Sequence, residues 1–88
     1  MKDSRRYMIQ RTFPAGALDG VNAQVKKTVN DNNAELGVTW EHSYVSADRT
    51  RTFCVYSGPS EAAVRDAAKK NGLPLDSVVE IPGTLYPQ

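Results

Sequence analysis

An α+β sandwich of β-α-β-β-α-β order is the fold class that this sequence predicts. Three observations carry it. Four short runs rich in β-branched and aromatic residues are spread along the chain. Two amphipathic helical stretches separate the first run from the second and the third from the fourth. The 88-residue length is that of one small domain, spanning residues 1–88 with its core at about 6–83.

The first strand is expected over Arg6 to Phe13, where Tyr, Ile, Thr and Phe alternate loosely with polar residues, and Pro14 to Gly16 ends it. Ala17 to about Ala34 reads as a helix. Leu18, Val21, Val25 and Val29 recur at spacings of three and four and form one apolar stripe. Asn32, Asn33 and Gly37 stop it. The second strand covers about Val38 to Val45 and the third about Thr52 to Tyr56. Ser57, Gly58 and Pro59 break the pattern. Ser60 is placed to cap the second helix, and Glu61 suits its positive end. Lys69 and Lys70 suit the last turn, Gly72 the left-handed stop, and Pro74 prevents a restart. Val78 to Ile81 is the last strand.

Two right-handed βαβ units sharing four strands make a ferredoxin-like sandwich, with both helices on one face of an antiparallel sheet. The other face is then bare. The alternating set Val38, Trp40, His42 and Tyr44 is largely aromatic and apolar. An exposed face of that kind marks an interface or a ligand site. Two subunits are therefore expected to pack through their open sheet faces, in the manner of a dimeric α/β barrel.

Composition narrows the function classes. Eleven Lys and Arg against ten Asp and Glu leave a formal charge of +1, with the basic residues in scattered pairs and no basic stripe for nucleic acid. One Cys forms no internal disulfide. The N-terminal residues lack the apolar run of a signal peptide, and no stretch approaches the roughly 20 apolar residues of a membrane span. The expectation is a cytoplasmic protein without nucleic-acid or membrane partners.

The only His, Trp and Cys, with two of the four Tyr, fall on the expected hairpin of residues 38–56. His42 suits a divalent transition metal or acid–base work, because imidazole ligates nickel, zinc and copper and titrates near neutrality. The plainer reading is a hydrogen-bonded histidine beside aromatic neighbours. Cys54 is a soft ligand as a thiolate and otherwise a small buried hydrophobe. Trp40, Tyr44 and Tyr56 are pocket or interface residues. Register decides whether these groups meet. If Tyr44 opposes Cys54, then His42 opposes Tyr56 and all share a face with Trp40. If Phe53 opposes Tyr44, Cys54 turns to the other face. The first register is favoured, because it points Phe53 and Val55 into the helix-packed core. Glu41 is expected to be solvated or paired with Arg51 across the hairpin. One His and one Cys are two ligands, fewer than a closed site needs. A second subunit, a carboxylate, backbone or water would complete the shell.

The strings Trp-Glu-His-Ser-Tyr-Val at 40–45, Phe-Cys-Val-Tyr at 53–56 and Gly-Leu-Pro at 72–74 together resemble a small bacterial ferredoxin-like family that includes a nickel-binding protein. The resemblance spans roughly residues 7 to 83. It implies the ferredoxin-like fold, a homodimer and nickel binding, with His42 and Cys54 as the metal positions to watch. The first reading is accordingly a homodimer that binds a divalent transition metal, nickel foremost, for storage or sequestration. Two other readings stand beside it. One is a small-molecule enzyme of the dimeric α+β barrel type with His42 as acid–base group. The other is a dimer with no small ligand.

Overall fold

The computed structural model describes residues 4–88. Strands β1 (Arg5–Thr12), β2 (Thr39–Val45), β3 (Arg51–Gly58) and β4 (Ser77–Glu80) and helices α1 (Ala23–Glu35) and α2 (Glu61–Asn71) follow in the order β1-α1-β2-β3-α2-β4. The sheet runs β2-β3-β1-β4, with every neighbouring pair antiparallel. This is the ferredoxin-like arrangement that the sequence predicts.

Tyr7 and Ile9 of β1, Cys54 and Tyr56 of β3 and Val38 cluster with Val64 and Ala67 of α2. That cluster is the core, and it defines the helix-covered face of the sheet. Gly58 lets β3 approach it closely: a Cβ there would lie 3.1 Å from the Val38 side chain and 3.5 Å from that of Val64.

α2 begins and ends where its residues dictate. The Ser60 hydroxyl accepts the Ala63 N–H at 3.2 Å. At the other end Gly72 has φ 68°, and the Leu73 N–H reaches back to the Ala68 carbonyl at 3.0 Å. α1 departs from expectation. The helical pattern from Ala17 resolves into a 3-10 turn over Ala17–Gly20 and a separate helix starting at Ala23. Asn22 causes the break. Its extended backbone leaves the helix, and its side chain accepts the Val25 N–H at 2.9 Å. A chain of amides ties the ends of the two helices together. Asn32 donates to Asn71 at 2.8 Å and Asn71 donates to Asn33 at 3.0 Å.

The hairpin corrects the favoured register. Ser43 opposes Cys54, Tyr44 opposes Phe53 and His42 opposes Val55. The turn sets this. Ser46 and Arg51 close a four-residue loop through the Ser46 N–H and the Arg51 carbonyl, 3.0 Å apart. The Asp48 carboxylate accepts from the Ser46 hydroxyl and from both the hydroxyl and N–H of Thr50, and Arg49 takes the left-handed φ of 61°. These bonds hold the Asp48 carboxyl below the usual carboxylate range. A second irregularity lies between Trp40 and His42, where Glu41 forms a bulge and Trp40 opposes Tyr56.

Candidate functional site

Turn and bulge together split the β2 residues between two faces. Trp40, Ser43 and Val45 face the helices beside Tyr56, Cys54 and Thr52. His42 and Tyr44 face the helix-free side, their rings 5.2 Å apart and edge to face. The set Val38, Trp40, His42, Tyr44 is therefore not one face. Phe53 and Val55 lie on the helix-free side, and Cys54 and Tyr56 in the core, the reverse of the expectation. Glu41 is exposed on the bulge, the solvated one of its two expected states, and it is not paired with Arg51.

The helix-free face carries two rows of side chains in cross-strand register. One is His42–Val55–Met8–Val79. The next is Tyr44–Phe53–Gln10–Ser77. The second strand of the open face thus supplies an imidazole and a phenol, and the remaining strands supply mostly apolar groups. Tyr44 is 60% and Val79 55% exposed. His42 is exposed among them. Trp40, expected to anchor this face, is on the other side. The bare apolar surface survives the correction with different members.

The helix-covered side holds a cavity of about 710 Å³ between α1 and the sheet. Cys54 and Tyr56 lie on its sheet side and Trp40 borders it. The Trp40 indole N–H donates to the Ser43 hydroxyl at 2.8 Å. The Cys54 thiol is buried, with Sγ 3.5 Å from the Thr52 hydroxyl. Burial pushes the Tyr56 phenol up, and the neighbouring Arg11 cation pulls it partly back. His42 does not border this cavity. Of the pocket or interface residues, Trp40 and Tyr56 belong to the cavity and Tyr44 to the open face.

His42 and Cys54 therefore lie on opposite faces and do not converge on one ion. Among the described residues, no three His, Cys, Asp or Glu side chains gather as a metal site. The described residues of one chain do not supply a metal shell. Sequence reasoning missed Arg11. It stands in phase with Tyr7 and Ile9, and it is 2% exposed. The signal was a guanidinium at a core position of an alternating strand.

A four-stranded antiparallel sheet with two helices on one face, a helix-side cavity and an imidazole on a bare apolar face places the chain among ferredoxin-like α+β proteins. Residues 7–81 match the family described as "Nickel responsive protein SCO4226-like", and the chain belongs to that family. The crystal structure of SCO4226 from Streptomyces coelicolor A3(2) is similar in fold. Its TM-score is 0.71 at 18% identity, covering 91% of this chain and 99% of that one. No curated protein sequence matches the chain.

Proposed function

We propose that this protein is a cytoplasmic homodimer that takes up nickel as cargo, for storage or sequestration, at a site built between two helix-free sheet faces. The observation that carries the proposal is His42, an exposed imidazole set in an apolar face that no helix among the described residues covers. Membership of a family named for its response to nickel supports the choice of metal. A neutral imidazole suits nickel. Face-to-face packing supplies a second His42 by symmetry, which answers the shortage of ligands within one chain. Tyr44, its ring 5.2 Å from that of His42, is the neighbour that would shape such a site. Cys54 has no part in it, being buried on the other side of the sheet.

Light scattering of untagged protein should give about twice the 9.7 kDa chain mass. Phe53→Asp places a charge in the apolar face and should yield monomer. Calorimetry with nickel should show binding to the dimer that His42→Ala removes and Phe53→Asp weakens. Undiminished nickel affinity in His42→Ala would exclude this site. A clean monomer that binds nickel as tightly would exclude the interface.

A further inference from the structure

The cavity under α1 lies on the other face of the sheet and is independent of the nickel reading. Its borders combine an apolar wall with neutral polar groups, among them Ser43, Thr52 and Tyr56, and with cations. Leu18, Val21, Val25 and Val29 present the stripe of the 3-10 turn and α1, and Trp40 and Val45 close the β2 side. Val21 and Val25 remain 40% exposed, so the stripe is aimed at the sheet without being covered by it. Arg11, Lys26 and Arg49 border the space, and among the described residues no Asp or Glu does.

Arg11 is the informative member. Its guanidinium donates to the Pro74 carbonyl at 2.7 Å and lies 5.6 Å from the centre of the Tyr56 ring. Neither group is an anion: burial holds the Tyr56 phenol in its protonated form. No ion pair among the described residues includes Arg11. A buried charge without a counter-ion is costly, and a guanidinium is shaped to bind a carboxylate through two parallel hydrogen bonds. The cavity volume falls in the range of small-molecule sites, roughly 300–1,000 Å³.

We propose that this cavity binds a small apolar carboxylate, its carboxylate paired with Arg11 and its hydrocarbon body held between α1 and the sheet. The ligand supplies both things that the chain lacks here, a counter-ion for Arg11 and a cover for the valine stripe. Lys26 at the border favours entry of an anion, whereas Arg49 is already paired with Asp19, 3.4 Å away.

Trp40 is the only tryptophan and borders the cavity, so its emission reports occupancy directly. The full chain is titrated with decanoate, 1-decanol and decylammonium, each below the concentration at which it forms micelles or separates. Decanoate should shift Trp40 emission saturably and bind at least tenfold more tightly than either of the others. Arg11→Met should lose that preference, with decanoate weakened tenfold or more and decanol little changed. Circular dichroism checks that this variant is folded. Val25→Phe, which fills the space from the exposed side of α1 without touching the charge, should abolish binding of all three. His42→Ala should leave decanoate binding as it is, which separates this site from the nickel site. Equal affinity for decanoate and decylammonium, no saturable response to decanoate, or unchanged decanoate affinity in folded Arg11→Met or in Val25→Phe would overturn the proposal.

Discussion

The two helices cross the same sheet face and treat it differently. α2 buries Val64, Ala67 and Ala68, two of them small enough to bring its backbone close to the sheet. α1 carries three valines in phase, if Val21 just ahead of it is counted, yet its one fully buried residue is Asn33. That Asn is engaged with Asn71 at the C-terminal end of α2. α1 is thus held by amide bonds at one end, while along its length it stands away from the strands. Apolar periodicity marks the face that a helix turns inward. It does not mark how closely the helix then packs. α2 is a packing element, and α1 is one wall of a chamber.

The contrast is open to measurement by mutation. Val64→Ala removes two methyl groups from a site with almost no exposure and should cost about 2 kcal/mol in urea unfolding. A loss under about 0.5 kcal/mol, the size usual for surface changes, would mean that α2 packs no better than α1. Gly72→Ala forces a side chain into the left-handed conformation that ends α2 and should cost roughly 1 kcal/mol. The same melts check it, and an unchanged midpoint would show that the turn relaxes freely. A third difference is confined to alkaline solution. Tyrosine in the unfolded chain ionises near pH 10, whereas burial holds Tyr56 protonated beyond that. Its contribution is therefore complete below about pH 10 and is lost as pH rises from there through the folded value. Tyr56→Phe should flatten that alkaline decline. Melting curves at pH 8 to 11 would show it, and parallel curves would remove Tyr56 as the cause. Smallest of all, Val25→Ala should change stability by no more than about 0.5 kcal/mol, despite its place in the helical stripe. A loss approaching that of Val64→Ala would mean that α1 closes onto the sheet in solution.

The elements themselves were legible from the chain because local chemistry specifies them. Ser60 and Gly72 bracket α2 through backbone bonds that depend only on neighbours a few residues away. The order of four strands and two helices then leaves few topologies. The site was legible only in its membership. Which groups share a face depends on the parity of the hairpin loop, and that parity follows from Asp48 gathering the Ser46 and Thr50 groups around it, without the Asn-Gly or Asp-Gly pair that usually advertises a turn. The bulge at Glu41 adds a second shift whose cause lies in the fit of β2 to β3 over the whole hairpin. Asn22 could have been found, since an Asn just ahead of a helical stretch that opens Ala23-Gln24-Val25 is an ordinary cap. The cavity could not, since a valine stripe reads the same whether it meets side chains or space.

Glu41 gives β2 something like a reading frame. The inward residues Trp40, Ser43 and Val45 are spaced by three and then two, and the extra step is the residue without a place in the ladder. Deleting Glu41 therefore restores a regular strand and leaves every remaining side chain on its present side. Deleting Ser43 instead throws one part of the strand out of phase and exchanges chamber-facing residues with those of the open face. Within this strand, residue 41 is where the chain length can change without the two faces trading their contents.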